Sequence, residues 1–181
     1  RASRTPPQVV AFHKCFGPHL ACAALSRAWL EAATAPNPLG TGVRRWELGT
    51  VSAEACAGVA ALGDYTGPLD AFYASVRVAE AAPFHRLLAF LAAARRATVL
   101  YAGAGDRLPT VAFTHAALAP GAVVAHARAH RVALRCGDFL APRAVAALGA
   151  PAGVVRCSLA HYNTVDEVDA LAACLERHPR W

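Results

Sequence analysis

The sequence predicts an α/β chain that ends in a small α+β domain, and three observations carry that expectation. Residues 97–181 alternate strand and helix signals. Thr164-Val165-Asp166-Glu167 is a capping box that opens a final amphipathic helix. Residues 50–96, before them, carry helical spacing with no strand-like alternation.

Near the start, Val9-Val10-Ala11-Phe12 is a short apolar run that reads as a buried strand entering a turn, and Gly17-Pro18 breaks it. Residues 20–25 are compact and apolar, a strand or a short helix. Ser26 is placed to cap a helix through Trp29 to Ala33. Residues 34–44, rich in Pro, Gly, Thr and Asn, form a loop. From Thr50 the pattern turns helical. Thr50 or Ser52 is the N-cap, Glu54 meets the positive end of the dipole, and Cys56, Val59 and Ala60 recur at helical spacing to about Asp64. Gly67-Pro68 closes that helix. A longer one covers 69–96, with Phe72, Val76, Leu87, Leu88 and Leu91 as apolar members; Pro83 is expected to kink or split it.

In the last stretch, 98–101 and 110–114 read as strands around the Gly103-Ala104-Gly105-Asp106 turn, 121–130 as a helix and 132–136 as an alternating strand. Pro142 suits the first turn of a short helix ending at Gly149. The next strand is 154–160. The last helix carries Val165, Val168, Leu171, Ala172 and Leu175 as one stripe.

Composition excludes several classes. The chain has 181 residues, a net charge of +6 and a pI near 9.3. Its arginines are scattered, with no aromatic-interleaved run, so nucleic-acid binding is not expected. No stretch of about 18 uncharged apolar residues suggests a membrane span. The start lacks the basic and apolar regions of a signal peptide, so a soluble, cytoplasmic protein is expected. The chain begins at Arg1 and has no methionine, so it reads as a piece of a longer protein. The six cysteines, at 15, 22, 56, 136, 157 and 174, show neither a CxxC pair nor zinc-ligand spacing. They are expected to be small reduced core residues, and no metal site is expected.

Lys14 is the only lysine among 18 Lys and Arg residues. A surface cation tolerates replacement by arginine, whereas only an ammonium can lose its proton in a half-apolar pocket and form a Schiff base with a carbonyl. A covalent role for Lys14 follows as the expectation, beside the simpler one that a single lysine survived by chance.

The residues around it extend the argument. His13-Lys14 with Phe16-Gly17-Pro18-His19 resembles the stretch around the cofactor lysine of class V aminotransferases, the fold-type I pyridoxal phosphate enzymes that include cysteine desulfurases. The likeness recurs in register at Arg45-Trp46-Glu47-Leu48-Gly49-Thr50, at Arg135-Cys136-Gly137-Asp138-Phe139-Leu140-Ala141-Pro142 and at Val155-Arg156-Cys157-Ser158-Leu159-Ala160-His161-Tyr162-Asn163-Thr164. Its closest look is to the cysteine-desulfurase-like branch. The resemblance implies that residues 1–70 are the end of the large cofactor-binding domain, 71–96 a linking helix region and 97–181 the C-terminal small domain of strands and covering helices.

It also implies roles. Lys14 would carry pyridoxal 5′-phosphate as an aldimine and then shuttle the proton at the substrate's alpha carbon. His13 would touch the cofactor ring or substrate, or else be satisfied in its turn. Gly49 and Thr50 would bind the cofactor phosphate of the partner subunit, which implies a homodimer; Thr50 as a plain N-cap is compatible with this. Val51-Ser52 departs from the pair that often follows this threonine. Arg156 would hold the carboxylate of a small amino acid substrate, a task suited to its bidentate fork. Strand alternation puts it on a face with Ser158 and Ala160, small neighbours that leave room; the bland alternative is a surface salt bridge. Asn163 and Thr164 read as structural, turning the chain and capping the last helix.

One position departs from the pattern. Desulfurases of this class place a nucleophilic cysteine two residues before the proline of the third block, where this sequence has Leu140. Leucine cannot form a persulfide, and Cys136 lies four residues earlier in strand phase. Three outcomes stay open: an enzyme of the class V, cysteine-desulfurase-like type acting on a small amino acid by transamination, lyase or racemase chemistry; a true cysteine desulfurase; or a truncated non-catalytic homologue.

Overall fold

The computed structural model describes residues 8–101 and 107–181. The expected Gly103–Asp106 turn lies outside the described residues. The chain divides into two compact units, Arg1–Phe72 and Tyr73–Trp181.

In the first unit, strands β1 (Gln8–Ala11) and β2 (Ala21–Ala24) pair antiparallel, from Gln8 opposite Ala24 to Ala11 opposite Ala21. A 3₁₀ turn at Phe12–Lys14 follows β1. The expected strand is therefore present, but it is not buried: Val9 is 73% exposed. A two-stranded ribbon has no further sheet neighbour to cover it. Helix α1 (Arg27–Ala32) starts at Ser26, whose hydroxyl accepts the Trp29 N–H at 3.2 Å. A second 3₁₀ turn covers Gly42–Trp46, and Trp29 and Trp46 lie 4.9 Å apart, ring to ring.

Helix α2 (Ala53–Thr66) begins at Ser52 and not at Thr50. The Ser52 hydroxyl accepts the Ala55 N–H at 3.1 Å and donates to the Glu54 carboxylate at 2.7 Å, which holds that carboxyl below its usual range. Gly67 ends the helix at φ +58°, a conformation that costs glycine nothing. Among the described residues of this unit, 8–72, no side chain is fully buried.

The second unit holds the core. Helix α3 (Leu69–Ala93) begins at the end of the first unit and runs unbroken past Pro83. Proline removes one backbone hydrogen bond, but Val76, Leu87, Phe90 and Leu91 are buried on both sides of it, and that packing outweighs the loss. Strands β3 (Ala97–Val99), β4 (Thr110–His115), β5 (Arg135–Gly137) and β6 (Val154–Ser158) form one antiparallel sheet in the order β3-β4-β6-β5. Helices α4 (Pro120–Ala129), α5 (Pro142–Ala147) and α6 (Val165–Glu176) complete the unit.

Alternation along the strands sorts the residues. Val111, Phe113, Val155 and Cys157 meet Leu87 and Leu91 of α3, Val123 and Ala127 of α4, and Val168, Leu171 and Leu175 of α6 in one cluster. Ala112 and Val154 take the other parity and pack with Val145 of α5. The capping box forms in full: the Thr164 hydroxyl accepts the Glu167 N–H at 3.2 Å, and the Glu167 carboxylate accepts the Thr164 N–H at 2.9 Å. Asn163 completes the turn, its side-chain oxygen accepting the Ala160 N–H at 2.8 Å and its amide donating to Glu167 at 3.1 Å.

Of the six cysteines, all free thiols, Cys157 and Cys174 are core residues as expected. Cys15 is half-buried and Cys22, Cys56 and Cys136 are exposed, because the ribbon, α2 and the edge strand β5 have little packed over them. Among the described residues, no helix is long and apolar enough to cross a membrane.

Candidate active site

Lys14 closes the 3₁₀ turn at the end of β1. The turn is fastened by its own backbone: Phe12 N–H donates to the Leu20 carbonyl at 2.8 Å, and both Cys15 and Gly17 donate to the Phe12 carbonyl at 2.8 Å. Phe16 takes φ +67°, which strains a non-glycine residue. Gly17 is required by space, since an added Cβ would fall 2.9 Å from both Leu62 Cδ1 and Phe12 Cβ. The result is a tied-down turn that presents the Lys14 amine to solvent. His13 also faces out, its ring parallel to His19 with centroids 4.9 Å apart and planes 9° apart. The half-apolar pocket expected around Lys14 is not built by its own unit: no side chain of that unit is fully buried, so the lysine stands uncovered.

Gly49 and Thr50 lie in the loop ahead of α2, on a cavity of about 540 Å³ shared with Asn37, Arg44 and Glu47. Asn37 braces this loop: its backbone N–H donates to the Arg45 carbonyl at 3.0 Å, and its side-chain amide reaches the Arg44 and Glu47 carbonyls at 3.4 and 3.5 Å. An added Cβ on Gly49 would meet nothing within 4 Å, so the backbone there is open to a ligand. A hydroxyl, open backbone and the Arg44 guanidinium are a donor set that fits a phosphate. The first turn of α2 does not serve it, because Ser52 and Glu54 already occupy that end.

Arg156 lies mid-strand on β6, opposite Ala112 of β4 on one side and Arg135 of β5 on the other. Its guanidinium stacks on the Phe139 ring, 4.1 Å from the centroid. Ser158 shares the parity of Arg156 within β6, whereas Ala160 lies beyond the end of that strand; Ala112, opposite on β4, is small as well. Phe139 reaches the guanidinium from a loop that strand alternation does not describe. Among the described residues, no carboxylate pairs with Arg156, so the salt-bridge alternative finds no partner.

The Phe139 loop is unusual. Phe139 and Leu140 adopt φ +54° and +60° in succession, and Gly137 and Gly153 stand at +131° and +92°. Asp138 holds the turn, its side chain accepting the Leu140 N–H at 3.0 Å and its carbonyl the Ala141 N–H at 2.9 Å. Two consecutive left-handed L-residues cost about 1–2 kcal/mol each. Leu140, at the position where the resemblance expects a nucleophile, is 96% exposed. Cys136 is exposed on the edge strand β5.

Lys14, His13, Gly49 and Thr50 fall in the first unit and Arg156 in the second. The resemblance places Asp138 and Phe139 where the family's loop shapes the substrate pocket, without a role for either, and the sequence reading gave no role to Arg135 or Arg44. Arg135 was recoverable, since an arginine at matching parity in a neighbouring strand faces the same side as Arg156.

Comparison with known proteins gives the family and the fold. The "Aminotransferase-like protein FGM3" of Gibberella zeae is 32% identical over 178 residues, 92% of this chain and 44% of that protein. The cysteine desulfurase CsdA of Escherichia coli superposes with a TM-score of 0.77 at 21% identity, over 93% of this chain and 45% of that one. The apo cysteine desulfurase of Thermococcus onnurineus NA1 gives 0.77 at 20% identity, over 94% and 46%. The chain thus spans a little under half the length of these relatives. Residues 36–171 match the aminotransferase class-V family, and the chain belongs to it.

Proposed function

We propose that this chain supplies the lysine, the phosphate-binding loop and the substrate-carboxylate site of a pyridoxal-phosphate-dependent enzyme that acts on a small amino acid. The observation that carries the reading is Lys14, the one lysine of the sequence, held on a hydrogen-bonded turn with its amine free to reach a carbonyl. Its position precedes the matched residues 36–171, so its role rests on the local motif and this presentation.

When bound, pyridoxal 5′-phosphate supplies an electron sink for the bond broken at the substrate's alpha carbon. The chain's own residues do the rest. Lys14 anchors the cofactor through its amine, then takes and returns the proton at that carbon. His13, kept in place by its stack on His19, is the ring or substrate contact. Thr50 and Gly49, with Arg44 on the same cavity, hold the phosphate, and in a homodimer they do so for the partner subunit's cofactor. Arg156 takes the substrate carboxylate in a bidentate grip, and Phe139 limits how the guanidinium turns.

The domain reading goes with this. Residues 1–70 belong to a cofactor-binding domain, 71–96 link it and 97–181 are the small domain. The lack of any fully buried side chain in 8–72 supports a segment made to be covered. A cytoplasmic setting agrees with the six free thiols.

Transamination, lyase or racemase chemistry fits better than sulfur transfer, because Leu140 offers an aliphatic side chain where a thiolate would be needed. The test is an absorbance spectrum with added pyridoxal phosphate, before and after borohydride, on the native chain and Lys14→Ala. A long-wavelength band fixed by borohydride only when Lys14 is present is the expected result. The same band in Lys14→Ala refutes the assignment.

A further inference from the structure

Away from these residues, α4 and α6 bring together side chains that the class V reading does not use. His126 lies on α4 and His130 at its C-terminal end, four residues on and so on the same face. Cys174 lies on α6, and His178 follows it by the same interval just past the helix. The two helices share the main core through Val123, Ala127, Val168 and Leu171. One ligand atom from each of His126, His130 and Cys174 lies within 4.8 Å of the other two. The His178 ring stands 4.8 Å from that of His126, and the His130 ring 4.4 Å.

The hydrogen bonds prepare this cluster. His126 Nε2 is 2.8 Å from the Cys174 carbonyl, and His130 Nδ1 is 2.9 Å from the His126 carbonyl. A carbonyl only accepts, so both ring nitrogens carry the proton. The lone pairs are left on Nδ1 of His126 and Nε2 of His130. A ring fixed by a backbone carbonyl through one nitrogen, with the other free to bind, is the usual state of a metal-ligating histidine.

We propose that His126, His130 and Cys174 form a binding site for a divalent ion of the zinc class, with solvent in the fourth position; His178 is held elsewhere, its Nδ1 accepting the Arg180 N–H at 3.2 Å. One thiolate with imidazoles is the donor set of zinc, whereas calcium and magnesium require oxygens. In tetrahedral zinc the ligand atoms stand roughly 3.5 Å apart, so the trio draws together on binding by side-chain rotation. The Cys174 thiol gives its proton to solvent as the sulfur–metal bond forms, and no electron is transferred. The ion would clip α4 to α6 and stabilise the second unit. Sequence spacing alone conceals the site, because its His-x₃-His pair and its cysteine come from helices whose ligands are separated by a strand, a helix and a second strand.

The experiment uses the full 181-residue chain, stripped with a chelator and titrated first with cobalt(II) and then with zinc. The expected result is about one ion per chain, with the strong visible bands of tetrahedral cobalt, a thiolate-to-cobalt charge-transfer band, and a rise in the unfolding temperature with zinc. His130→Ala, a change at the end of a helix, should keep the circular dichroism spectrum and weaken zinc at least tenfold. Cys174→Ser should remove the charge-transfer band. The proposal fails if cobalt gives only the weak octahedral spectrum, if the charge-transfer band survives in Cys174→Ser, or if a folded His130→Ala binds zinc as tightly as the native chain.

Discussion

Removing the Phe139 ring tests how Arg156 is held. The guanidinium carbon lies 4.1 Å from the ring centroid, well inside the range of a cation–π contact, and Arg156 is half-buried. Such contacts contribute about 0.5–1 kcal/mol when exposed and about 2 when desolvated, so a partly covered pair should contribute about 1 kcal/mol. Arg135, opposite on β5, adds like-charge repulsion that the stack must overcome. The assay is a double-mutant cycle in denaturant, with Phe139→Ala, Arg156→Ala and both together. It isolates the pair even though Phe139→Ala also alters a strained backbone. A coupling near 1 kcal/mol is expected. A coupling below about 0.3 kcal/mol, the scatter of additivity between unconnected sites, would show that Phe139 does not orient the arginine.

Thr164→Ala removes the acceptor of the Glu167 N–H and should lower stability by about 1 kcal/mol, seen as a fall of about 4–6 °C in the melting of the second unit. Glu167 predicts an acid response. Its carboxyl is held below the ordinary 4.5 by the Thr164 N–H and then by Asn163, so its contribution is complete above pH 4.5 and is lost as pH falls through the lowered value. Glu167→Gln should flatten that part of the stability curve, and an unchanged acid limb would count against the cap. Leu140→Asn, at φ +60° and fully in solvent, should gain about 0.5 kcal/mol in denaturant because asparagine tolerates the left-handed region better; a loss would mean that the turn is not strained. Limited proteolysis should digest 8–72 before 73–181, since only the second unit has a buried core; the opposite order would contradict the burial pattern.

The sequence spoke most clearly where one residue type carries one physical role. Thr164 and Glu167 announced the start of α6, Pro142 that of α5, and Gly67 the end of α2. Lys14 stood out by composition, and its turn followed from Gly17-Pro18. Reading failed where tertiary contacts decide. The strand expected from Val132 starts only at Arg135, because Arg131 turns left-handed at φ +64° and Val132 N–H returns to the Ala127 carbonyl to finish α4. Thr50 and Ser52 were equally good caps on paper, and the carboxylate of Glu54 decided for Ser52. Phe139 and Arg156 meet through a loop, and His126 and Cys174 through helix packing; neither pairing has a sequence period.

The uncovered ribbon of β1 and β2 has a practical meaning for anyone handling this chain. Its strands carry Val9, Val10, Ala23 and Cys22 on faces open to water, and among the described residues each strand has one unpaired edge. Such an edge adds another strand as readily as it received the first. At high concentration the purified chain should therefore recruit its own copies through backbone pairing, and Cys22 would then be placed to lock two of them by oxidation. Light scattering that rises with concentration, and eases when a reductant is present, is the behaviour to plan for.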